Sequence, residues 1–441
     1  MLDQASGQPP TSLVSPRAPL VAGQSLRARV ILLWVLWSFL YGFNGAYVSP
    51  PLLAIWGLVC AASVLIWWRG TSLSPGFLLR VCTPLAAMSW IVFFAPGSHW
   101  SATYGLLVLA GSLLAAPNVR WLNALGSVLF VTGAVVAVAH AWHWGVAPID
   151  VFDITQSGAV DFLHGINPYQ AWFPSTTLGV VRFHYDYGPL LLPLSSPFAA
   201  LGDVRVLGAL SAAAIAALVL KPHGWRQPDA WQWALLLWAS PWEFWCVLQG
   251  WTELIAIAPL MWWYVKRNKP WTWLLLALSL GINPAVGLIL VPLFVTTAAA
   301  TRRQILYAGS LGLLCWGVAW AFSGPDFIRA FSIASQQRFD PTVGLGGLYM
   351  FATHHALPIL VPIVAMIVGC AILWQRRPRA GNAGDLTVGL VAAAVVFCLP
   401  ATYFEYAMIP AVWIWWWVAR GHHLGAVGPA EVSWTTGERQ M

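Results

Sequence analysis

Charge is what this chain of 441 residues has least of. Only 8% of its residues are charged, against about 25% in an ordinary soluble domain. Fifteen are acidic and twenty-two are Lys or Arg. That scarcity, beside a hydrophobic content of 59%, excludes a soluble globular enzyme, a disordered protein and a coiled coil. The alternating short strands of an outer-membrane barrel are missing too. No C-x-x-C pair occurs among Cys60, Cys82, Cys246, Cys315, Cys370 and Cys398. All six lie in apolar runs, so they read as small hydrophobes with neither a disulfide framework nor a metal site. No Walker, HExxH, GxSxG or zinc spacing appears, and no repeat of 20–50 residues. The net charge of +7 sits in short clusters with no basic stripe interleaved with aromatics, so no nucleic-acid partner is expected.

What remains is a string of apolar runs, which implies a polytopic α-helical membrane protein. Residues 1–29 read as a disordered cytoplasmic tail, with no signal peptide ahead of the first run. Runs at roughly 30–48, 51–68, 81–95, 103–117 and 121–142 form an N-terminal five-helix module over 30–142. Arg69, Arg80 and Arg120 mark one set of run ends. By the positive-inside rule that set is cytoplasmic, and residue 143 emerges on the outer side. Thirty Trp, many at run ends as in Trp67-Trp68 and Trp415-Trp416-Trp417, suit the membrane–water boundary.

Residues 143–188 are a long outer loop, the kind of segment that carries function. Runs resume at roughly 189–202, 204–220, 231–248, 254–265, 271–298, 304–322, 356–374, 384–399 and 402–419. Lys221 and Arg226, then Lys266, Arg267 and Lys269, then Arg302 and Arg303, then Arg376, Arg377 and Arg379, and finally Arg420 mark cytoplasmic ends. This pattern makes 189–202 a re-entrant or interfacial helix, since it is short and carries Pro193 and Pro197. It also makes 271–298 two short helices meeting at Gly281-Ile282-Asn283-Pro284. The core runs from 189 to 420, a cytoplasmic tail covers 421–441, and the total is roughly 12–14 membrane segments.

Nine of the fifteen acids then fall on or near the outer side: Asp150, Asp153, Asp161, Asp186, Glu243, Glu253, Asp326, Asp340 and Glu405. Asp203, beside Arg205, reads as a cap or a local pair. Basic residues on that side are few: Arg182, Arg329 and Arg338. Each has two readings, a salt bridge to a neighbour (Asp326 for Arg329, Asp340 for Arg338) or a phosphate clamp, because a guanidinium fork matches phosphate oxygens. Glu243 and Glu253 are costly in or near a bilayer and so are functional candidates.

The outer loop reads Pro148-Ile149-Asp150-Val151-Phe152-Asp153, then Asp161-Phe162-Leu163-His164-Gly165-Ile166-Asn167-Pro168-Tyr169, then His184-Tyr185-Asp186-Tyr187-Gly188-Pro189-Leu190. These stretches resemble the GT-C superfamily of membrane glycosyltransferases, especially the polyprenol-phosphate-mannose-dependent α-mannosyltransferases of bacterial envelopes. That group shows an Asp after an early span, a "LLxGxNPY" stretch and a "Y-x-P-L" start to the next helix. Gln249-Gly250-Trp251-Thr252-Glu253, the break at Asn283-Pro284 and Pro400 through Tyr406 are similar to three later stretches of the family. The chain departs from the family in having Asn283 where a Lys is usual, Glu405 where a His is usual, and five early spans instead of one. The resemblance covers roughly 145–420.

The resemblance implies a GT-C-like bundle with a long outer loop bearing the catalytic Asp. It implies a polyprenyl-phosphate sugar donor, a glycan or glycolipid acceptor, membrane lipids as surroundings, and no cofactor. Asp150 is the expected general base with Asp153 as backup, since a carboxylate takes the acceptor proton. Arg182 with Arg329 or Arg338 is expected to hold the donor phosphate. Asn167, Tyr169, His184, Tyr185, Asp186, Tyr187, Gln249, Glu253, Asn283 and Glu405 are the expected substrate-binding set, with no metal. The rival reading is a multi-span transporter or lipid-linked-sugar flippase, which also uses broken helices and membrane acids.

Overall fold

A computed structural model describes residues 26–37, 50–69, 73–94, 150–174, 182–223, 250–336, 352–355, 357–376, 384–399 and 404–424, with isolated helical positions between 106 and 132, between 232 and 247, and at 345 and 349. The described residues are mostly helical. Residues 26–37 are helical. There follow α1 (Pro50–Arg69), α2 (Pro75–Phe94), α3 (Asp150–Leu163), the two-residue strands β1 (Phe173–Pro174) and β2 (Arg182–Phe183), α4 (Leu191–Leu201) and α5 (Arg205–His223). Then come α6 (Glu253–Lys266), α7 (Trp273–Ile282), α8 (Gly287–Thr296), α9 (Ala299–Ser323), α10 (Pro325–Gln336), α11 (Leu360–Arg376), α12 (Gly384–Phe397) and α13 (Phe404–Leu424).

The core centres on α6, which packs against α5, α7 and α13. Its side chains from Glu253 to Ala258 are all buried. Tyr264 near its end lies edge-on to Trp413 and Trp416 of α13, at 4.9 and 5.6 Å between ring centroids. The first helical segment joins this core through Trp34, whose ring meets Trp415 at 6.3 Å and whose Nε1 donates to the Leu236 carbonyl at 3.2 Å. Around the centre, α7 packs on α9, while α8 packs on α11 and α12.

Among the described residues, one helix is long and apolar enough to cross a membrane, namely α9. Its 25 residues span about 37 Å at 1.5 Å per residue. Only Ala308, Gly312 and Ser323 are buried on it, and Leu313, Leu314 and Phe322 are well exposed. The pair α4–α5 passes the same test jointly but bends by 115°. The segment expected to be re-entrant is thus a helix that turns sharply into the next.

The two ends of the bundle differ in charge. At one end Arg302 donates from Nε and Nη2 to the Phe294 and Val295 carbonyls, the last turn of α8. Arg267 closes α6 on the Tyr264 carbonyl at 2.7 Å, and Gln304 donates to the Arg267 carbonyl at 2.8 Å. These cations meet the negative ends of helix dipoles. The opposite end holds Glu253, Asn283, Asn167 and Ser323, described below.

Several sequence boundaries need correction. The outer loop contains a 14-residue helix, α3, whose buried positions Val151, Ile154, Thr155, Gly158 and Ala159 follow helical spacing. A second unanticipated helix, α10, begins at Pro325 with Asp326 in its first turn. Helix α2 starts at Pro75, six residues before the expected 81. Ser74 Oγ there accepts the Phe77 amide at 3.2 Å, so Arg80 lies inside the helix instead of ahead of it. Likewise Arg302 and Arg303 lie inside the start of α9. The remaining expected spans of the N-terminal module and both expected tails lie largely outside the described residues.

Candidate active site at the helix break

Residues 271–298 do form two helices, and the reason is local. Pro284 has no amide hydrogen, and Asn283 takes an extended conformation at φ −148° and ψ 118°. Its Oδ1 caps the following turn by accepting the Ala285 amide at 2.8 Å. The interruption orphans the carbonyls of Leu280, Gly281 and Ile282. Each finds a donor elsewhere. Trp316 Nε1 of α9 donates to Leu280 at 3.2 Å, the Leu190 amide to Gly281 at 2.9 Å and the Gly188 amide to Ile282 at 3.0 Å. A break inside a bundle persists only when such groups are satisfied. The end of the outer segment is therefore a plug for the break.

The fit is tight enough to dictate residue type. A Cβ on Gly188 would run into the carbonyl oxygens of Gly281 and Ile282, with the Ile282 carbonyl carbon at 2.7 Å. Trp316 lies seven residues before the end of α9, so the break sits about 10 Å below that end. The 164–190 segment thus dips into the bundle. Its upper part is tied to the tip of α9, where Asn167 Nδ2 donates to Ser323 Oγ at 3.0 Å.

Asn283 and Glu253 face each other below the plug, both buried. Asn283 Nδ2 donates to Thr252 Oγ1 at 3.0 Å and to Glu253 Oε1 at 2.9 Å. Both amide protons of Asn283 are thereby committed inside the protein. This cluster locks the start of α6 to the end of α7.

The tyrosines of the outer segment are similarly committed. Tyr169 donates to the Tyr187 carbonyl at 3.0 Å and Tyr185 to the Gly188 carbonyl at 3.2 Å. Their rings meet edge-on at 5.2 Å, and Tyr169 also packs on Phe327 of α10 at 4.7 Å. Burial, and after it charged neighbours that include Asp186, pushes both phenols above their ordinary range, so they stay protonated donors. His184 is buried, with Nδ1 2.8 Å from the Ala171 carbonyl and its ring on Trp172 at 3.7 Å. Tyr187 is partly buried with a ring contact to Tyr185 at 5.8 Å, and Asp186 is also partly buried.

The elements bearing the expected catalytic residues are linked through β1. Asp150 opens α3, and Asp153 lies in its first turn. Helix α3 packs against β1, β1 pairs with β2 in the register Pro174↔Arg182, and β2 packs against α10, which carries Arg329. Arg329 is exposed and, among the described residues, makes no ion pair with Asp326. Of its two sequence readings, the salt bridge is the one the structure lacks. Glu405 lies in the first turn of α13. Gln249, Glu243, Arg338 and Asp340 lie outside the described residues.

The start of α3 is held at Phe152. Gly250, at φ +72°, brings its backbone to Phe152, whose Cα would lie 3.3 Å from an added Cβ. The Arg205 guanidinium lies over the Phe152 ring, 4.5 Å from its centroid. Phe152, Gln156 and the corner around Asp203–Arg205 escaped the sequence reading as site-building residues. The helical spacing of buried positions in α3 was the available signal. Among the described residues no three His, Cys, Asp or Glu are grouped to hold a metal. A comparison with protein families, curated proteins and solved structures finds no match.

Proposed function

We propose that the chain is an integral membrane glycosyltransferase of the plasma membrane. It moves mannose or another polyprenyl-phosphate-linked sugar to a hydroxyl of a cell-envelope glycan or glycolipid on the outer face. Both termini are cytoplasmic in this reading, and the bundle is polytopic, of roughly 12–14 segments. The exposed apolar flank of α9, together with exposed Ile363, Ile367 and Trp374 of α11, suits a hydrocarbon surrounding.

One observation supports the catalytic reading: α3, which bears Asp150, packs on β1, β1 pairs with β2, which bears Arg182, and β2 packs on α10, which bears Arg329. Asp150 accepts the proton of the acceptor hydroxyl. The acceptor oxygen bonds to the anomeric carbon as the bond from that carbon to phosphate oxygen breaks. The polyprenyl phosphate leaves with its extra charge facing Arg182 and either Arg329 or Arg338. Asp153 is the second candidate for the base. Asn167, Tyr169, Tyr185 and Asn283 shape the site through its backbone, since their polar groups are committed internally.

The test is transfer from polyprenyl-phosphate mannose to a glycolipid acceptor by purified protein in detergent. Asp150→Asn should lower turnover by about 10²–10⁴-fold. Near wild-type turnover at a normal protein level sinks the assignment of the base. The break at Asn283 also favours a second reading, a transporter or lipid-linked-sugar flippase, because transporters build sites at discontinuous helices. Transfer in detergent, where no gradient exists, separates the two.

A further inference from the structure

A buried ion pair joins Asp203 to Arg205, each side chain 3% exposed. It sits at the corner between α4 and α5, directly behind the first turn of α3. Arg205 Nε lies 2.9 Å from both carboxylate oxygens, Nη2 lies 2.6 Å from Oδ2, and the Arg205 amide donates to Oδ1 at 2.8 Å. The guanidinium plane therefore has one orientation. The guanidinium lies over the ring of Phe152, 4.5 Å from its centroid, and the Gly250 backbone lies against the Cα and Cβ of that residue. One turn further along α3, Gln156 repeats the attachment. Its Oε1 accepts the Val204 amide at 3.0 Å, and its Nε2 donates to the Ala199 carbonyl at 3.5 Å.

We propose that the Asp203–Arg205 pair is a positioning device that fixes the rotation and depth of the α3 first turn, and through it Asp150. The inference rests on the reading of Asp150 as the base. Stability alone is a weak reason to keep such a pair, because apolar residues of equal volume often serve a buried position as well or better. An aliphatic pair would fill the corner but let the Phe152 ring slide. The rigid guanidinium fork does not. Phe152 stands between Asp150 and Asp153 in sequence, and its Cα and Cβ are held against Gly250 as well, so a shift of the Phe152 backbone carries both carboxylates with it. A displacement near 1 Å at a catalytic group costs about 10²-fold in rate.

The test uses the full chain in detergent and two readouts. The first is amide hydrogen exchange over residues 150–157, with α9 as the internal reference. The second is transfer from polyprenyl-phosphate mannose to a glycolipid, resolved into kcat and donor KM. Three variants are compared: Arg205→Lys, Phe152→Leu, and the double variant Asp203→Leu with Arg205→Met, which leaves no lone charge in the corner. In the double variant, exchange over 150–157 should rise about tenfold with α9 unchanged. Its kcat should fall about 10²-fold at unchanged KM. Arg205→Lys, which keeps the charge but not the plane, should fall between it and wild type, and Phe152→Leu should follow the double variant. Wild-type exchange in α3 of a folded double variant overturns the proposal, as does raised exchange with kcat intact. If the wild-type protein transfers no sugar, the glycosyltransferase reading fails, and exchange alone then decides whether the pair positions α3.

Discussion

The chain is interrupted twice near the acid-bearing end of the bundle, and the two interruptions are repaired by different means. At Asn283-Pro284 three orphan carbonyls are satisfied by neutral donors: two backbone amides and an indole. At Gly202-Asp203, where the chain turns by 115°, the groups to be satisfied are amides: Asp203 Oδ1, held in a buried ion pair, accepts the Arg205 amide and Gln156 Oε1 accepts the Val204 amide. The partners come from one place in large part. Gly188 and Leu190 plug the first interruption, and Phe152 and Gln156 brace the second, so the outer segment is stapled at both of its ends. The difference lies in what each repair transmits. A backbone plug sets depth, since an amide has one position along its own chain. A planar guanidinium against a ring sets rotation as well. The outer segment thus meets the bundle with depth fixed at its C-terminal end and orientation fixed at α3.

Three substitutions break that contrast in graded fashion. Asp203→Asn should cost most, about 3–5 kcal/mol, because it leaves the Arg205 charge buried without its partner. Unfolding in micelles followed by far-ultraviolet circular dichroism reads this, and a loss under about 1 kcal/mol would mean that water reaches the corner. Gly188→Ala should come next at about 1–3 kcal/mol, since its new methyl meets backbone that cannot rotate away. Here proteolysis between α3 and α4 should accelerate as the plug lifts, and an unaltered cleavage rate would deny the plug its role. Trp316→Phe should cost least, about 1 kcal/mol, by stripping the Leu280 carbonyl of its donor while keeping an aromatic ring at the position. Its effect should leave α3 untouched by hydrogen exchange, which separates the neutral repair from the charged one.

Much of this arrangement is legible in the sequence. Pro284, coming after Gly281 and Asn283 in an apolar run, announced the broken helix, because proline cannot continue the backbone ladder. The basic clusters at Lys266–Lys269 and Arg302–Arg303 announced a common end for α6, α7, α8 and α9. Asp203 beside Arg205 was readable as a local pair. Helix α3 was missed because an acidic, polar stretch between apolar runs resembles a loop. Its periodic buried face of Val151, Ile154, Thr155, Gly158 and Ala159 was nonetheless present. Helix α10 was missed for the same reason, although Pro325-Asp326 is a good helix start.

The roles of individual polar residues were the least legible. Asn283, Tyr169 and Tyr185 sit in stretches that suggested substrate contact, yet their hydrogen-bonding groups are consumed by Glu253 and Thr252, by Tyr187 and by Gly188. Residue type and spacing specify what a side chain can donate or accept. They do not specify which neighbour, far along the chain, takes it up.

By itself the sequence determined that charge would be rare, that helices would dominate, where one of them would break, and which end of the bundle would be basic. Those follow from composition, from proline chemistry and from helix-end electrostatics, all local properties. Only the tertiary structure decided that Gly188 and Leu190 fill the break, that Arg205 lies over Phe152, and that β1 and β2 link α3 to α10. Those depend on segments tens to hundreds of residues apart meeting in space, where an orphaned carbonyl takes whichever donor the packing of the bundle delivers.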